Sequence, residues 1–383
     1  MFSISRIQQV LQAVPRGQFD RIVERHQADR YSKGFGCWQQ LLAMVYVQLS
    51  GASSLRQVEA GFNGQRGQHY HLNAGCMRRS TLADANARRN PQVFADLLQL
   101  LIAQAGRRVR RQREEMLYLL DATTVQLPAR GCSRGHSSPH GNHGVKLHVL
   151  LESHSASIAR ASITPANVND ITPAKQLPLE AGATYVFDKG YCNYNWWHAI
   201  HTTQARFVTR LKRDAALRYL DERQAEGSGI LRDSIVAFAL RTPRGGHRNS
   251  YSDSLRRIEV QRPDAAALVL ITNDLTSPAE QIAGLYKQRW QIELLFKWVK
   301  QHLQIRRFVG HNDNAVRIQL ICALIAYMLV LLLKSATGTR QSLWMLLAQL
   351  RASLFQRPQT EQSYWRRRRA LSQHIAAVQP QLL

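Results

Sequence analysis

Two short apolar runs that each stop at an aspartate, MLYLLD at 116–121 and TYVFD at 184–188, constrain the fold of this chain most. Each has four or five residues that suit a buried strand, followed by a carboxylate. A carboxylate beside a buried strand is costly unless it is paired or holds a metal. In open α/β sheets, ligands sit beyond the carboxyl ends of the strands. The pattern therefore predicts two sheet strands with Asp121 and Asp188 at their ends, facing one edge. Taken singly, either aspartate also fits a turn or a helix cap, and Asp188-Lys-Gly-Tyr is turn-like in composition.

The segments around these runs extend the pattern. GVKLHVLLES (144–153) and SIARASITPA (157–166) read as strands. A helix is expected from Asp170 to Leu179, with Pro173 in its first turn. NYNWWHAIHTTQA (193–205) reads as a helix and ARFVTRLK (205–212) as a strand. Three strands, a helix, a strand and then further αβ alternation describe an α/β sheet of ribonuclease H type. Residues 214–275 break the alternation with SIVAFALR, RRIEVQRP and ALVLITND, which read as a β-rich insertion. The first 113 residues read as helical. CWQQLLAMVYVQLS (37–50) has helical spacing, Ser54 to Gln57 has a capping-box shape, and Gly61 to Gly75 reads as loop. Further helices are expected near Thr81 and over 91–105. Short helices joined by polar turns fit a DNA-binding helical domain and, nearly as well, a plain helical interaction domain; the expected division is a helical DNA-binding domain at 1–113, a catalytic domain at 114–335 and a basic helical tail at 336–383.

A second feature lies further along. Tyr286, Arg289, Glu293 and Lys300 follow the spacing Y-x2-R-x3-E-x6-K. At about 100° per residue they share one stripe of a helix, beside an apolar stripe of Leu285, Ile292, Leu295, Phe296, Val299 and Leu303. Glu293 therefore stands at the border of the buried face. A carboxylate can hold a metal, and Arg, Lys and Tyr can grip phosphate oxygens. Three carboxylates, Asp121, Asp188 and Glu293, could hold two Mg²⁺ ions about 4 Å apart. Taken alone, the stripe also fits a solvated helix face.

Charge points the same way. Lys and Arg number 51 against 26 Asp and Glu, a formal charge of +25. An excess of that size suits a polyanion, most simply nucleic acid. Runs at Arg107–Arg113 and Arg366–Arg369 fit phosphate contacts or solvated faces equally. Five scattered cysteines, Cys37, Cys76, Cys132, Cys192 and Cys322, form no C-x-x-C pair and read as free thiols of a reducing cytoplasm. No signal peptide is expected. The apolar run IQLICALIAYMLVLLL (318–333) contains Gln319 and is short for a span of roughly 20 residues, so a buried core helix is expected, with no membrane.

With these pieces in order, the chain resembles a DDE transposase of the bacterial insertion sequence four family. LYLLDATTV, VFDKGY and the Y-x2-R-x3-E-x6-K signature carry the likeness. GNHGVKLHVLL, ITPANVND, LITNDL and QRWQIELLFKWVK add to it, as does the segment FDRIVERHQADRYSKGFGCWQQLLAMVYVQLSGASSLRQVEAGF. The resemblance implies a ribonuclease H-like core with a β-rich insertion before the catalytic glutamate. It implies Asp121, Asp188 and Glu293 as catalytic metal ligands, served by two Mg²⁺ ions for which Mn²⁺ can substitute. It implies Tyr286, Arg289 and Lys300 as contacts to the transposon-end backbone. The implied partners are double-stranded DNA, as transposon ends and target, and a second copy of the chain in a homodimer on DNA. The implied place is the cytoplasm, at the nucleoid. Alternatives are a ribonuclease H-like nuclease without strand transfer and an inactive DNA-binding relative.

Three signals point elsewhere. Cys132, His136, His140 and His143 are spaced as zinc ligands can be, but their Gly- and Ser-rich surroundings favour a loop over the active site. Lys146 and His148 are expected on an exposed or DNA-facing strand edge. Trp196, Trp197, Trp290 and Trp298 suit core or groove packing better than stacking on an unpaired base.

Overall fold

A computed structural model describes residues 4–112, 115–127, 144–212, 215–240, 248–263 and 265–357. Cys132, His136, His140 and His143 lie outside the described residues, as do Arg113 and Arg366–Arg369.

The helices α1 (Arg6–Leu11), α2 (Arg16–Arg25), α3 (Cys37–Ser50), α4 (Leu55–Asn63), α5 (Arg79–Arg88) and α6 (Gln92–Arg110) come first. Strands β1 (Leu117–Gln126), β2 (Gly144–Glu152) and β3 (Ser157–Pro165) follow, then α7 (Ile171–Ala174), β4 (Thr184–Phe187), α8 (Tyr194–Thr202) and β5 (Arg206–Arg210). Next are β6 (Leu217–Arg223), β7 (Ile230–Phe238), β8 (Leu255–Arg262) and β9 (Ala265–Thr272). Helices α9 (Ala279–Gln288), α10 (Trp290–His302), α11 (Asp313–Thr337) and α12 (Leu343–Ser353) complete the order.

All nine strands form one sheet, in the order β3-β2-β1-β4-β5-β9-β8-β7-β6. The first five strands have ribonuclease H topology. β1, β2 and β3 form an antiparallel meander, and β4 and β5 add parallel to β1. The expected insertion is not a separate layer. β9 pairs antiparallel with β5, and β8, β7 and β6 continue the sheet outward.

The side-chain alternation of a strand divides β1 between two cores. Leu117, Leu119 and Val125 face the helices α3, α6, α10 and α11. Tyr118 and Leu120 face the opposite side, where Trp196, Trp197 and Ile200 of α8 pack. Trp196 and Trp197 are thus core residues, while Trp290 is 59% exposed.

Helix α3 forms where the sequence expects it because its apolar residues leave no polar face. Nine of its side chains from Cys37 to Leu49 are apolar and buried, and Gly51 closes it in the left-handed region at φ 79°. Its partner is α11, the apolar run of 318–333 extended at both ends. α11 is long and apolar enough to cross a membrane, but 89% of that stretch is buried inside the protein. Gln319 is fully buried there and satisfied. Its Nε2 donates to the carbonyls of Gln304 and Arg307, and its Oε1 accepts from the Val309 amide. Fully burying each Leu or Ile of α11 contributes about 1.5–3 kcal/mol, which makes this helix the centre of the larger core. Helices α1, α3, α5 and α6 pack on it, so these N-terminal helices share one core with α11 and the sheet.

Several expectations are corrected. The helix expected over 170–179 is a single turn, Ile171–Ala174, because Pro178 denies the next turn its backbone donor. The segment read as loop from Gly61 begins inside α4 and contains two short 3₁₀ turns, at Arg66–Gln68 and Tyr70–Leu72. Lys146 and His148 are not on an edge, since β2 lies between β1 and β3. His148 is buried with its Nε2 on Thr164 Oγ1 at 2.8 Å, and Lys146 pairs with Asp170 at 2.8 Å. Burial lowers the His148 pKa to about 4, which keeps the ring neutral at pH 7.

Candidate active site

The parallel register of β1 and β4 brings the two aspartates level. Leu117 pairs with Thr184 and Leu120 with Phe187. Asp121 and Asp188 are each the next residue. Asp121 does not end its strand, as the sequence suggested. β1 runs on to Gln126, paired with β2 throughout, and it is β4 that stops. Asp121 faces the same side as Leu119 and Thr123, toward α10. On the next strand, Val186 pairs with Val208, so Arg210 at the end of β5 is level with Asp188. Its Nη1 lies 3.6 Å from Asp188 Oδ1. Sequence reading missed Arg210. The only trace is a cation closing a short apolar strand.

The signature residues meet this row from α9 and α10. The expected single helix is jointed. Arg289 separates α9 from α10 while keeping right-handed helical backbone angles. The amides of Arg289 and Ile292 bond three residues back, to Tyr286 and Arg289, a tightened 3₁₀ turn. Tyr286, on the last turn of α9, is buried, and its hydroxyl donates to Asp188 Oδ1 at 3.3 Å. Burial, and then the negative Asp188, push its pKa up to about 12.

Arg289 joins the other two carboxylates. Its Nη2 donates to Glu293 Oε1 at 2.6 Å and its Nη1 lies 3.6 Å from Asp121 Oδ2. Its Nε is buried and has no hydrogen-bond partner among the described residues. Glu293 sits in the first turn of α10, where the helix dipole favours a negative charge. Lys300, two turns further on, donates from Nζ to Thr123 Oγ1 at 2.5 Å. Burial first, and Arg306 second, lower its pKa.

Asp121 is held against its surroundings. Its pKa is pushed up to about 6, chiefly by burial and further by Glu293 and Asp188. The Ala122 amide, at 2.8 Å from Oδ1, and Arg289 act in the opposite sense. The six residues expected at the site therefore form two linked groups, Asp121–Arg289–Glu293 and Asp188–Tyr286, with Lys300 held beside Asp121 on β1. Among the described residues, no three carboxylate, histidine or cysteine side chains stand close enough to cage an ion. A guanidinium supplies the positive charge between Asp121 and Glu293, and the mutual repulsion of the carboxylates is the chemistry that a divalent cation would relieve. By that test the residues fit a metal.

Comparison with known proteins gives the family of the chain. The family described as Transposase DDE domain matches residues 112–329, more than half of the chain. A domain of unknown function (DUF4372) matches residues 3–74. The chain is 46% identical over 260 residues to a protein of Sinorhizobium fredii named as transposase y4zB, covering 65% of this chain and 69% of the relative. It is 29% identical over 245 residues to a protein of Geobacillus stearothermophilus named as a transposase for insertion sequence element IS5377, covering 62% of each. Among solved structures, a piggyBac transposase synaptic complex with hairpin DNA superposes with a TM-score of 0.46 and 10% identity. That match covers 90% of this chain and 77% of the other.

Proposed function

The chain belongs to the DDE transposase family of bacterial insertion sequences and is a DNA transposase, and we propose that it cleaves at the ends of its own element and joins the freed 3′-hydroxyls to target DNA. The family uses divalent metals. In this reading Asp121, Asp188 and Glu293 hold two Mg²⁺ ions, or Mn²⁺ in their place. When bound, the metals supply an activated water or 3′-hydroxyl and a stabilised leaving oxygen. The observation that carries the assignment is the parallel register that sets Asp121 and Asp188 level, with Glu293 tied to Asp121 through one guanidinium.

The chain's own residues would do the rest. Tyr286 keeps the Asp188 carboxylate turned toward the row. Lys300 and Arg289 hold backbone phosphates of the transposon end, so that the scissile bond is fixed before it breaks. Arg289 exchanges carboxylate partners for phosphate oxygens, which its planar fork matches equally well. The helices of residues 1–113 recognise the terminal inverted repeats, and residues 336–383 add a basic tail. Work on two ends calls for a homodimer on double-stranded DNA.

The test uses the purified full chain, Mg²⁺ or Mn²⁺, and a labelled fragment carrying the element's end. Asp121→Ala, Asp188→Ala and Glu293→Ala should each abolish cleavage while end binding survives. Retained cleavage in any one of them removes that residue from the metal set. Cleavage by the wild type without a joined product would leave a nuclease without strand transfer.

A further inference from the structure

The outer strands of the sheet reach the signature helices through one short turn. Asp274 caps that turn, accepting from the amides of Thr276 and Ser277 and from both their hydroxyls. Two arginines of the outer strands then grip its backbone. Arg223, at the end of β6, donates from Nη1 to the Leu275 carbonyl at 2.6 Å. Arg256, on β8, donates from Nη1 to the Ser277 carbonyl. Its other nitrogens form a fork on Asp233 of β7, Nε to Oδ1 at 2.9 Å and Nη2 to Oδ2 at 2.6 Å.

Arg256 and Asp233 are nearly inaccessible, at 4% and 2%. A buried ion pair is a poor device for stability, because apolar residues of similar volume do as well or better. Its retention here matches a geometric task, since the guanidinium's third nitrogen is directed at the turn. Arg223 pairs in register with Asp233, and Asp233 pairs with Ile258, two residues along β8 from Arg256, so the two clamps stand diagonally across neighbouring strands on one face of the sheet. The turn before β7 closes on the same point. Gly227 has φ +108°, and a Cβ there would meet the Glu280 side chain at 2.8 Å, so only glycine lets the chain approach α9 this closely.

We propose that Arg223 and Arg256 are positioning residues for the reaction. By clamping the Leu275–Ser277 turn, the outer strands fix where α9 starts, and hence where Tyr286 holds Asp188. The joint at Arg289 makes this necessary. α9 is a ten-residue helix set apart from α10, so its placement cannot be inherited from α10 alone. The proposal rests on the catalytic reading of Asp188, and its test separates the two.

Arg223→Met is the informative variant, because Arg223 is only partly buried and Arg256→Met removes half of a buried ion pair. In the full chain, amide exchange over residues 279–288 should quicken at least ten-fold in Arg223→Met, while residues 292–299 of α10 keep wild-type rates. Cleavage of the element end should fall at least ten-fold, with end binding within two-fold and a higher Mn²⁺ concentration for half-maximal rate. Arg223→Lys, which keeps a donor within reach of the carbonyl, should restore part of both. Unchanged exchange in α9 overturns the clamp. Quickened exchange in α9 with wild-type cleavage overturns the positioning role. If Asp188→Ala cleaves like wild type, the catalytic reading fails, and the exchange data still decide the clamp.

Discussion

Replacing Asp121 by asparagine should make the protein more stable at neutral pH and catalytically dead. The folded state raises the Asp121 pKa from 3.8 to about 6, mainly by burying it and then by setting it beside Glu293 and Asp188. The folded protein therefore binds this proton more tightly than the unfolded chain does. The resulting stabilisation is fully present below pH 4 and is lost as pH rises through 6. Each pKa unit corresponds to about 1.4 kcal/mol, so a shift of about two units amounts to roughly 2–3 kcal/mol. The amide of Asp121→Asn cannot ionise, and its oxygen can still accept from Ala122. In EDTA, denaturant midpoints should show the variant more stable than wild type by roughly 2–3 kcal/mol at pH 7.5, and equal to it near pH 4. Mg²⁺ should stabilise the wild type, by about 2.7 kcal/mol at a hundred times its dissociation constant, and the variant much less. A pH-independent difference, or a variant less stable than wild type at pH 7.5, would refute the claim that the fold holds the Asp121 carboxylate against its burial and its acidic neighbours.

Gln319→Leu should cost about 2–4 kcal/mol, because it strands the Val309 amide and the carbonyls of Gln304 and Arg307 in the core. A chemical denaturation curve measures it, and a cost under about 1 kcal/mol would show that these groups find other partners. If Lys300 grips a phosphate, as proposed, Lys300→Met removes one charge-assisted contact of about 1.5–3 kcal/mol, so cleavage should slow on the order of ten- to hundred-fold with little change in midpoint. Lys300→Arg should recover only part of the rate, because a planar fork replaces a point charge, and Mn²⁺ binding should be unchanged in both. Arg78 and Arg79 are exposed at the start of α5, and if they contact phosphates, replacing both by alanine should reduce the salt slope of end binding by about 1.8. That measurement requires the full chain, because α3, α5 and α6 bury their apolar faces against α11.

Local signals in the sequence were reliable where one segment decides its own structure. Cys37–Ser50 is apolar all round and followed by a glycine, so both its helix and its burial were legible. β2, β3 and β5 stand where alternation or an apolar run put them. What the sequence could not show was which strand pairs with which across distance. The strands of 214–275 were recognisable singly, but the β5–β9 pairing that joins them to the main sheet links residues some sixty positions apart. β6 was missed because nearly all its side chains are exposed, and a strand with no buried face leaves no period of two. His148 alternates like an exposed residue. Its burial comes from Thr164 on β3 and from α7, neither of which its own segment reveals.

The candidate site divides along the same line. The four signature residues and the two aspartates could be picked out by type and spacing, because each is an unusual polar group at the end or border of an apolar segment. Their pairings could not. A single helix would put Tyr286, Arg289, Glu293 and Lys300 on one stripe with one shared role. The joint at Arg289 instead sends Tyr286 to Asp188 on β4, Arg289 and Glu293 to Asp121 on β1, and Lys300 to Thr123. Tyr286 is consequently buried with its hydroxyl on a carboxylate. Arg210 enters only because β5 runs parallel to β4 in a register that sets it level with Asp188. Each carboxylate thus begins with a partner from the chain itself: a guanidinium shared by Asp121 and Glu293, and a phenol and a second guanidinium on Asp188. Under the proposed function, a substrate phosphate and its cations exchange with those partners on entering this row. For that reason the effect of Arg289→Ala on cleavage must be measured together with its effect on the pKa of Asp121.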